Sequence, residues 1–116
     1  MSDPTLFTRI LRGEIESEIL YQDEHCFVIR DISPQAPTHV LLIPKVEIPR
    51  LVDANQEHQV LLGHMMVTAG RVAEVMGIGD GFRLIINNGE SAGQTVFHLH
   101  MHILGNNKFN EEELTL

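Results

Sequence analysis

The chain has one cysteine, no tryptophan and one tyrosine among its 116 residues. A single thiol, Cys26, cannot close an internal disulfide, and a reducing cytoplasm is the expected setting. Basic residues are scarce: eight Lys and Arg stand against sixteen Asp and Glu, for a net charge of −8. Phosphate backbones are held mainly by Lys and Arg, so this balance argues against DNA or RNA as a partner. It does not exclude one nucleotide in a pocket, whose local sign can differ from that of the whole surface. No apolar run reaches transmembrane length, and no signal-type apolar stretch follows Met1, so no membrane association is expected. Repeats, linkers and low-complexity segments are also missing. With 43 % apolar and 21 % charged residues, the reading is one soluble domain over 1–116 with one core.

The hydrophobic pattern supplies the elements. Asp3-Pro4 reads as an N-cap and first helical residue, followed by Leu6, Phe7, Ile10 and Leu11 at helical spacing and a stop at Gly13. Glu18–Gln22 and Cys26–Arg30 read as a hairpin about Asp23-Glu24-His25. The loop Asp31–Pro37 holds two prolines, which block regular pairing. His39–Ile43 is apolar almost throughout and predicts a central strand covered on both faces, ended by Pro44. A long helix is expected from Asp53 or Asn55 to Met76, with Leu61, Met65, Thr68, Val72 and Val75 as its buried stripe. Strands are expected over Phe82–Asn87 and Thr95–Leu104, and the tail from Gly105 is expected to be loosely held. This order predicts an α+β fold: an antiparallel sheet of about five strands carrying one short and one long helix.

The most informative segment is His98-Leu99-His100-Met101-His102. On a β-strand, alternation would project all three imidazoles from one face and send Leu99 and Met101 to the other. Imidazole changes charge near neutral pH, so such a strip suits proton transfer, nucleophilic attack or metal ligation. Three histidines can ligate zinc. Against that, no carboxylate sits within the strand to orient a ring, as metal sites usually need. Groups suited to a phosphate surround it instead: Thr95, Asn87, His39, and Gly89 and Gly93, whose backbone N–H groups can approach an anion. Each has a plainer reading as well. Asp31 before Ser33-Pro34 is a common loop cap, Asn87 a common turn residue, Thr95 a common strand starter. His25 and His58 read as solvated, and His64 as helix surface or interface.

Gln94-Thr95-Val96-Phe97-His98-Leu99-His100-Met101-His102 resembles the histidine triad motif, His-φ-His-φ-His with φ apolar. Asp31 to His39 and Ile43-Pro44-Lys45 resemble a second signature of the same family, in the right order. The match is closest to its Hint branch and runs from about Phe7 to Gly105. The resemblance implies a homodimeric α+β fold that binds purine nucleoside monophosphates and hydrolyses nucleoside phosphoramidates, with no cofactor and no metal. On matching positions, His100 is the nucleophile that forms a nucleotidyl-histidine, and His102 bonds a phosphate oxygen. His98 and His39 tune or relay the proton. Thr95 contacts the phosphate or leaving group, with Asn87, Gly93 and Gln94 in the same region. Asp31 accepts from the ribose, while Phe7, Ile10, Ile32 and Leu41 line the purine slot. Other branches of the family imply alternatives: cleavage of a dinucleoside polyphosphate or another nucleotidyl ester, or a binding module without turnover.

Two positions depart from the branch. Thr95 stands where Ser is usual; the hydroxyl remains, but its β-branch restricts the rotamer. After Leu104 the branch usually has two glycines and often a Trp-Pro-Pro-Gly end. Here the chain reads Gly105-Asn106-Asn107-Lys108-Phe109. In the family this segment lies near the partner subunit's site and affects the leaving group.

Overall fold

The structure, a computed structural model, describes residues 3–113. Its elements are α1 (Leu6–Leu11), β1 (Ile19–Gln22), β2 (Cys26–Arg30), β3 (Thr38–Pro44), α2 (Gln59–Val75), β4 (Phe82–Ile85) and β5 (Met101–Gly105). Short 3-10 turns at Leu51–Asp53 and Gln56–His58 precede α2, and a third spans Glu90–Ala92. One antiparallel sheet has the order β1-β2-β3-β5-β4. The apolar strand β3 occupies the centre, as its composition requires: a strand buried on both faces has no position for a solvated side chain.

Alternation along the strands sorts the core into two layers. Cys26 and Val28, Val40 and Leu42, and Met101 and Ile103 face α2, packing with Met65, Ala69, Val72 and Ala73. Phe27 and Ile29, and Leu41 and Ile43, face the opposite side and pack under Phe7 and Ile10 of α1. The short helix and the long helix thus cover opposite faces. Burying these side chains contributes roughly 1.5–3 kcal/mol for each large one.

Several element boundaries differ from the sequence reading. The N-cap of α1 is Thr5, not Asp3, because the Thr5 hydroxyl accepts the Thr8 N–H at 3.1 Å. Helix α2 starts at Gln59, after the two 3-10 turns, rather than at Asp53 or Asn55. Met65, Thr68 and Val72 are buried and Leu61 packs against the core, as expected; Ala69 and Ala73 widen the stripe, while Val75 is 87 % exposed and lies outside it. Strand β4 stops at Ile85, short of Asn87.

The histidine strand is shorter than expected. Pairing begins at Met101, opposite Leu42, so of the three histidines only His102 lies in β5. His98 and His100 sit in the approach to it, where the Leu99 N–H bonds Ile48 O outside the sheet. Gly105 closes β5 opposite Thr38 and Phe82 and is not the start of the tail. The tail is anchored: the Arg83 guanidinium donates to Asn110 O and Glu113 O and stacks 4.7 Å from the Phe109 ring centre.

Candidate active site

The rings of His98, His100 and His102 collect on the α1 side of the sheet. Phe7 bridges the first two edge-on, with ring centres 5.6 Å from His98 and 5.0 Å from His100. The His100 and His102 rings are 5.1 Å apart, and His39 lies 5.1 Å beyond His102. The alternation inferred from the sequence therefore survives, although half of the segment has no partner strand.

Hydrogen bonds fix which nitrogen of each ring carries a proton. His98 Nε2 lies 2.7 Å from Pro44 O. A carbonyl only accepts, so Nε2 is the donor and Nδ1 accepts from the Thr5 hydroxyl at 2.6 Å. Both nitrogens of His98 are engaged, and the residue is 0 % exposed. Its ring cannot reach a substrate. Its backbone carbonyl, however, accepts from His100 Nδ1 at 2.7 Å. That bond leaves the lone pair of the neutral His100 ring on Nε2.

A second chain runs through His39. The Gln35 N–H donates to His39 Nδ1 at 3.0 Å, so the neutral ring keeps its proton on Nε2. Nε2 stands 2.9 Å from His102 Nδ1, which accepts it. His102 is then left with Nε2–H as a donor. Asp31 Oδ2 lies 3.4 Å from His39 Nε2 and 3.9 Å from His102 Nδ1, ready to balance a positive ring. No fully buried side-chain nitrogen or oxygen among the described residues lacks a partner. The Nε2 atoms of His100 and His102, whose other nitrogens make the bonds above, are therefore open to solvent. The site presents an imidazole lone pair beside an imidazole N–H donor.

Burial pushes the pKa of all four rings down. For His39 Asp31 opposes the shift, for His98 Pro44 O does, and for His100 the His98 carbonyl does. His102 falls to about 4, through burial and then the neighbouring His100 and His39. All four are neutral at pH 7, the form in which imidazole is a nucleophile.

Beside the rings lies a cleft of about 400 Å³. Among the nucleotide-site residues that the resemblance implies, Phe7, Ile10, Asp31, Ile32, Leu41 and Thr95 line it; Ile29 and Val96, which had no assigned role, line it too. Ile32 is 96 % exposed and forms the rim rather than a wall. Asp31 is both loop cap and site residue: Oδ1 takes the Ser33 N–H at 2.8 Å, while Oδ2 faces His39.

Asn87, Gly93, Gln94, His100 and His102 are not among the lining residues; the histidines stand next to the cleft, behind Phe7 and Asp31. Asn87 lies two residues past the end of β4, beyond the last paired residues Ile85 and His102. The Gly93 N–H is engaged by Glu90 O, and the Gly89 N–H by Gln94 Oε1, so neither is available to an anion. The Gln94 amide also donates to Pro49 O and Val96 O. These residues shape the loop that carries Thr95, with Gly89 and Gly93 at φ 90° and 95° where a side chain would be strained.

Two features had no clear sequence signal. The carboxylate judged missing beside the triad is supplied by Asp31 from another strand end, so Asp31, His39 and His102 bring donor atoms within 4.8 Å of one another, close enough to hold a cation. The second feature is the support for His98. Glu47 Oε2 accepts from the Thr5 N–H at 2.9 Å and the Thr8 hydroxyl at 2.5 Å, securing the turn that holds the Thr5 hydroxyl on His98. The sequence reading placed the helix cap at Asp3 and gave Thr5 no role. Thr5 is a positioning residue, acting on His100 through the His98 carbonyl. Thr5→Val is expected to lower kcat by up to about 10²-fold with KM little changed, as a misplacement of the reacting group does. Thr5→Ser should restore it; a KM effect alone would mark the bond as merely structural.

The family model for the HIT domain matches residues 12–109. A purine nucleoside phosphoramidase of Escherichia coli K12 is 50 % identical over 106 residues, covering 90 % of this chain and 89 % of that protein. An uncharacterized HIT-like protein of Synechocystis is 53 % identical, over 95 % of this chain and 96 % of its own. Among solved structures, a HIT family hydrolase from Clostridium thermocellum superposes with a TM-score of 0.92 at 40 % identity, over 99 % of this chain and all of that one. A histidine triad protein from Clostridium difficile gives 0.89 at 35 % identity, over 97 % and 100 %. With its motif, its sheet and its ordered rings in agreement with these comparisons, the chain belongs to the HIT family.

Proposed function

We propose that this protein is a hydrolase of purine nucleoside phosphoramidates, working through a nucleotidyl-histidine on His100. The reading rests above all on the His98 carbonyl, which holds the His100 Nδ1 proton and leaves the Nε2 lone pair open to solvent. The 50 % identical phosphoramidase supports the substrate class.

In this reading the purine enters between Phe7, Ile10 and Leu41, with Ile32 at the rim and Asp31 accepting from the ribose. His100 Nε2 attacks the α-phosphorus as the P–N bond to the amine breaks, and the amine takes a solvent proton relayed by the Thr95 hydroxyl at the cleft. A phosphoramidate nitrogen leaves poorly unless protonated. Thr95, at the cleft, stands by the leaving group. His102 Nε2–H, held in that tautomer by His39, donates to a non-bridging oxygen, and the Asp31 carboxylate offsets the positive charge that forms on the His100 ring when Nε2 bonds phosphorus. Asn87, just past the end of β4, is assigned to the same phosphate region by the family resemblance. Water then attacks phosphorus and gives up a proton to solvent, the P–N bond to His100 breaks with its electron pair returning to Nε2, and the nucleoside monophosphate departs. No step needs a cofactor or metal, and the single, buried Cys26 suits a cytoplasmic setting.

The test is the covalent adduct. Protein quenched during turnover of an adenosine phosphoramidate should carry a nucleotidyl mass on the peptide containing His100, with turnover unchanged by chelator. An adduct elsewhere, or activity abolished by chelator, overturns the mechanism.

We also propose that the chain dimerises. Strand β4 is an edge of the sheet, and Val60, Met66 and Val67 leave apolar surface on α2. Light scattering should return twice the chain mass; a monomer mass at micromolar concentration removes the proposal.

A further inference from the structure

On the opposite face of the sheet, away from α1 and the histidine rings, three potential metal ligands converge from three elements. Asp23 comes from the β1–β2 turn, Cys26 opens β2 and His64 lies on α2. One donor atom of each falls within 4.8 Å of the others. Cys26 Sγ is 3.5 Å from Asp23 Oδ1 and 3.6 Å from Oδ2, and His64 Nε2 is 2.7 Å from Asp23 Oδ2.

We propose that Asp23, Cys26 and His64 form a binding site for one Zn²⁺-like divalent cation, which fastens the β1–β2 hairpin to α2. Metal bonds of about 2.0–2.3 Å in a tetrahedron place ligand atoms roughly 3.3–3.7 Å apart. The thiol–carboxylate spacing already falls in that range. The shorter His64–Asp23 contact is a direct hydrogen bond, which ligation would widen. One sulfur, one imidazole and one carboxylate suit zinc and its neighbours; magnesium and calcium take oxygen ligands.

The surroundings favour the site. The Tyr21 hydroxyl and the N–H groups of His25 and Cys26 all donate to Asp23, fixing the carboxylate's orientation. Although burial pushes the Asp23 pKa up, the bonds from His25, His64 and Tyr21 outweigh it and hold the group well below the usual carboxylate range. The His64 side chain is 36 % exposed and that of Asp23 21 %, which gives an ion a way in. The exposed His25 ring stands edge-on to His64, 5.1 Å between centres. It can supply the fourth position, which otherwise falls to water. Thr68 anchors its hydroxyl on His64 O at 2.7 Å. Burial, and then Asp23, push the Cys26 thiol up to about 12, so the unligated thiol keeps its proton. Binding replaces that proton: S–H breaks, sulfur–metal forms and one H⁺ leaves for solvent, while the neutral His64 ring moves its proton from Nε2 to Nδ1 so that Nε2 can ligate.

Cobalt(II) is the probe, because thiolate ligation gives a sulfur-to-cobalt charge-transfer band in the near ultraviolet. Full-length, metal-stripped protein titrated with Co²⁺ should develop this band at one equivalent, release protons, and lose the band when Zn²⁺ is added. Cys26→Ser should abolish the band. His64→Gln, at a half-exposed position that the fold tolerates, should weaken affinity about 10²-fold or more, beyond what outer-shell changes cost. It should also remove any rise in Tm that Zn²⁺ gives the wild type. His102→Gln should leave the band intact, because the Asp31, His39 and His102 group contains no sulfur. No band with the wild type, or uptake that His102→Gln abolishes and Cys26→Ser does not, overturns the proposal. The outcome is independent of whether the protein hydrolyses phosphoramidates.

Discussion

Replacing His100 by alanine is expected to lower kcat on an adenosine phosphoramidate by about 10⁴-fold or more, the scale seen when a covalent nucleophile is removed. The adduct should disappear with it. Binding of the product monophosphate should survive, because the proposed purine slot rests on Phe7, Ile10 and Leu41, and the proposed phosphate donor is His102. The loss falls on kcat because the other residues position, polarise and balance charge but supply no electron pair. His98 is enclosed on both nitrogens. His102 Nδ1 accepts from His39, which leaves Nε2 as a donor rather than a nucleophile. Retention of near-full turnover by His100→Ala, with the fold intact, removes His100 from the mechanism.

The second large effect is on stability at acid pH. His39, His98, His100 and His102 all have pKa values below the free value of 6.5, with burial as the first cause. Between that value and the folded one, the unfolded chain takes up protons that the folded cluster does not. Stability is therefore complete above about pH 6.5 and is lost as pH falls toward the folded values. For His102, a fall from 6.5 to about 4 corresponds to a loss on the order of 3 kcal/mol, of which about 2 kcal/mol falls between pH 7 and pH 5. Urea unfolding at pH 7 and pH 5 should show the midpoint dropping. In His102→Gln the drop should be shallower, which separates the ring from carboxylates titrating lower. Equal wild-type midpoints at the two pH values contradict the prediction. The same shift keeps His100 neutral below pH 6.5, so the acid limb of kcat/KM should lie below the ordinary histidine value.

The site lies at an unpaired segment for a structural reason. Strand β3 stops pairing with β5 at Leu42–Met101, and the chain beyond leaves the ladder to meet Ile48. Freed backbone carbonyls then become acceptors for side chains. Pro44 O and His98 O, the atoms that set two of the tautomers, are both of this kind.

Much of this was legible in the sequence. The apolar run of β3 announced a central strand, and the His-x-His-x-His spacing announced rings on one face, because both depend only on local periodicity and burial. The family resemblance carried by the two motifs implied site roles for Phe7, Ile10, Asp31, Leu41 and Thr95, and these residues share one cleft. The true extent of β5 was not legible, since a strand ends where its partner leaves, and the partner is distant in sequence. Nor were the engaged N–H groups of Gly89 and Gly93, the Arg83 anchor of the tail, or the Thr5–His98 bond across 93 positions. Each joins residues that no periodicity relates.

The sequence by itself determined the imidazole strip, the two-layered apolar pattern and the net negative charge. These follow from residue type and spacing, which the chain carries into any environment. Only the tertiary structure decided which nitrogen of each ring bears the proton. Tautomers are set by the acceptors and donors that packing brings alongside: Pro44 O, His98 O and the Gln35 N–H. It also decided that Asp23, Cys26 and His64 meet, because their encounter requires a hairpin turn to close onto a helix some forty residues away.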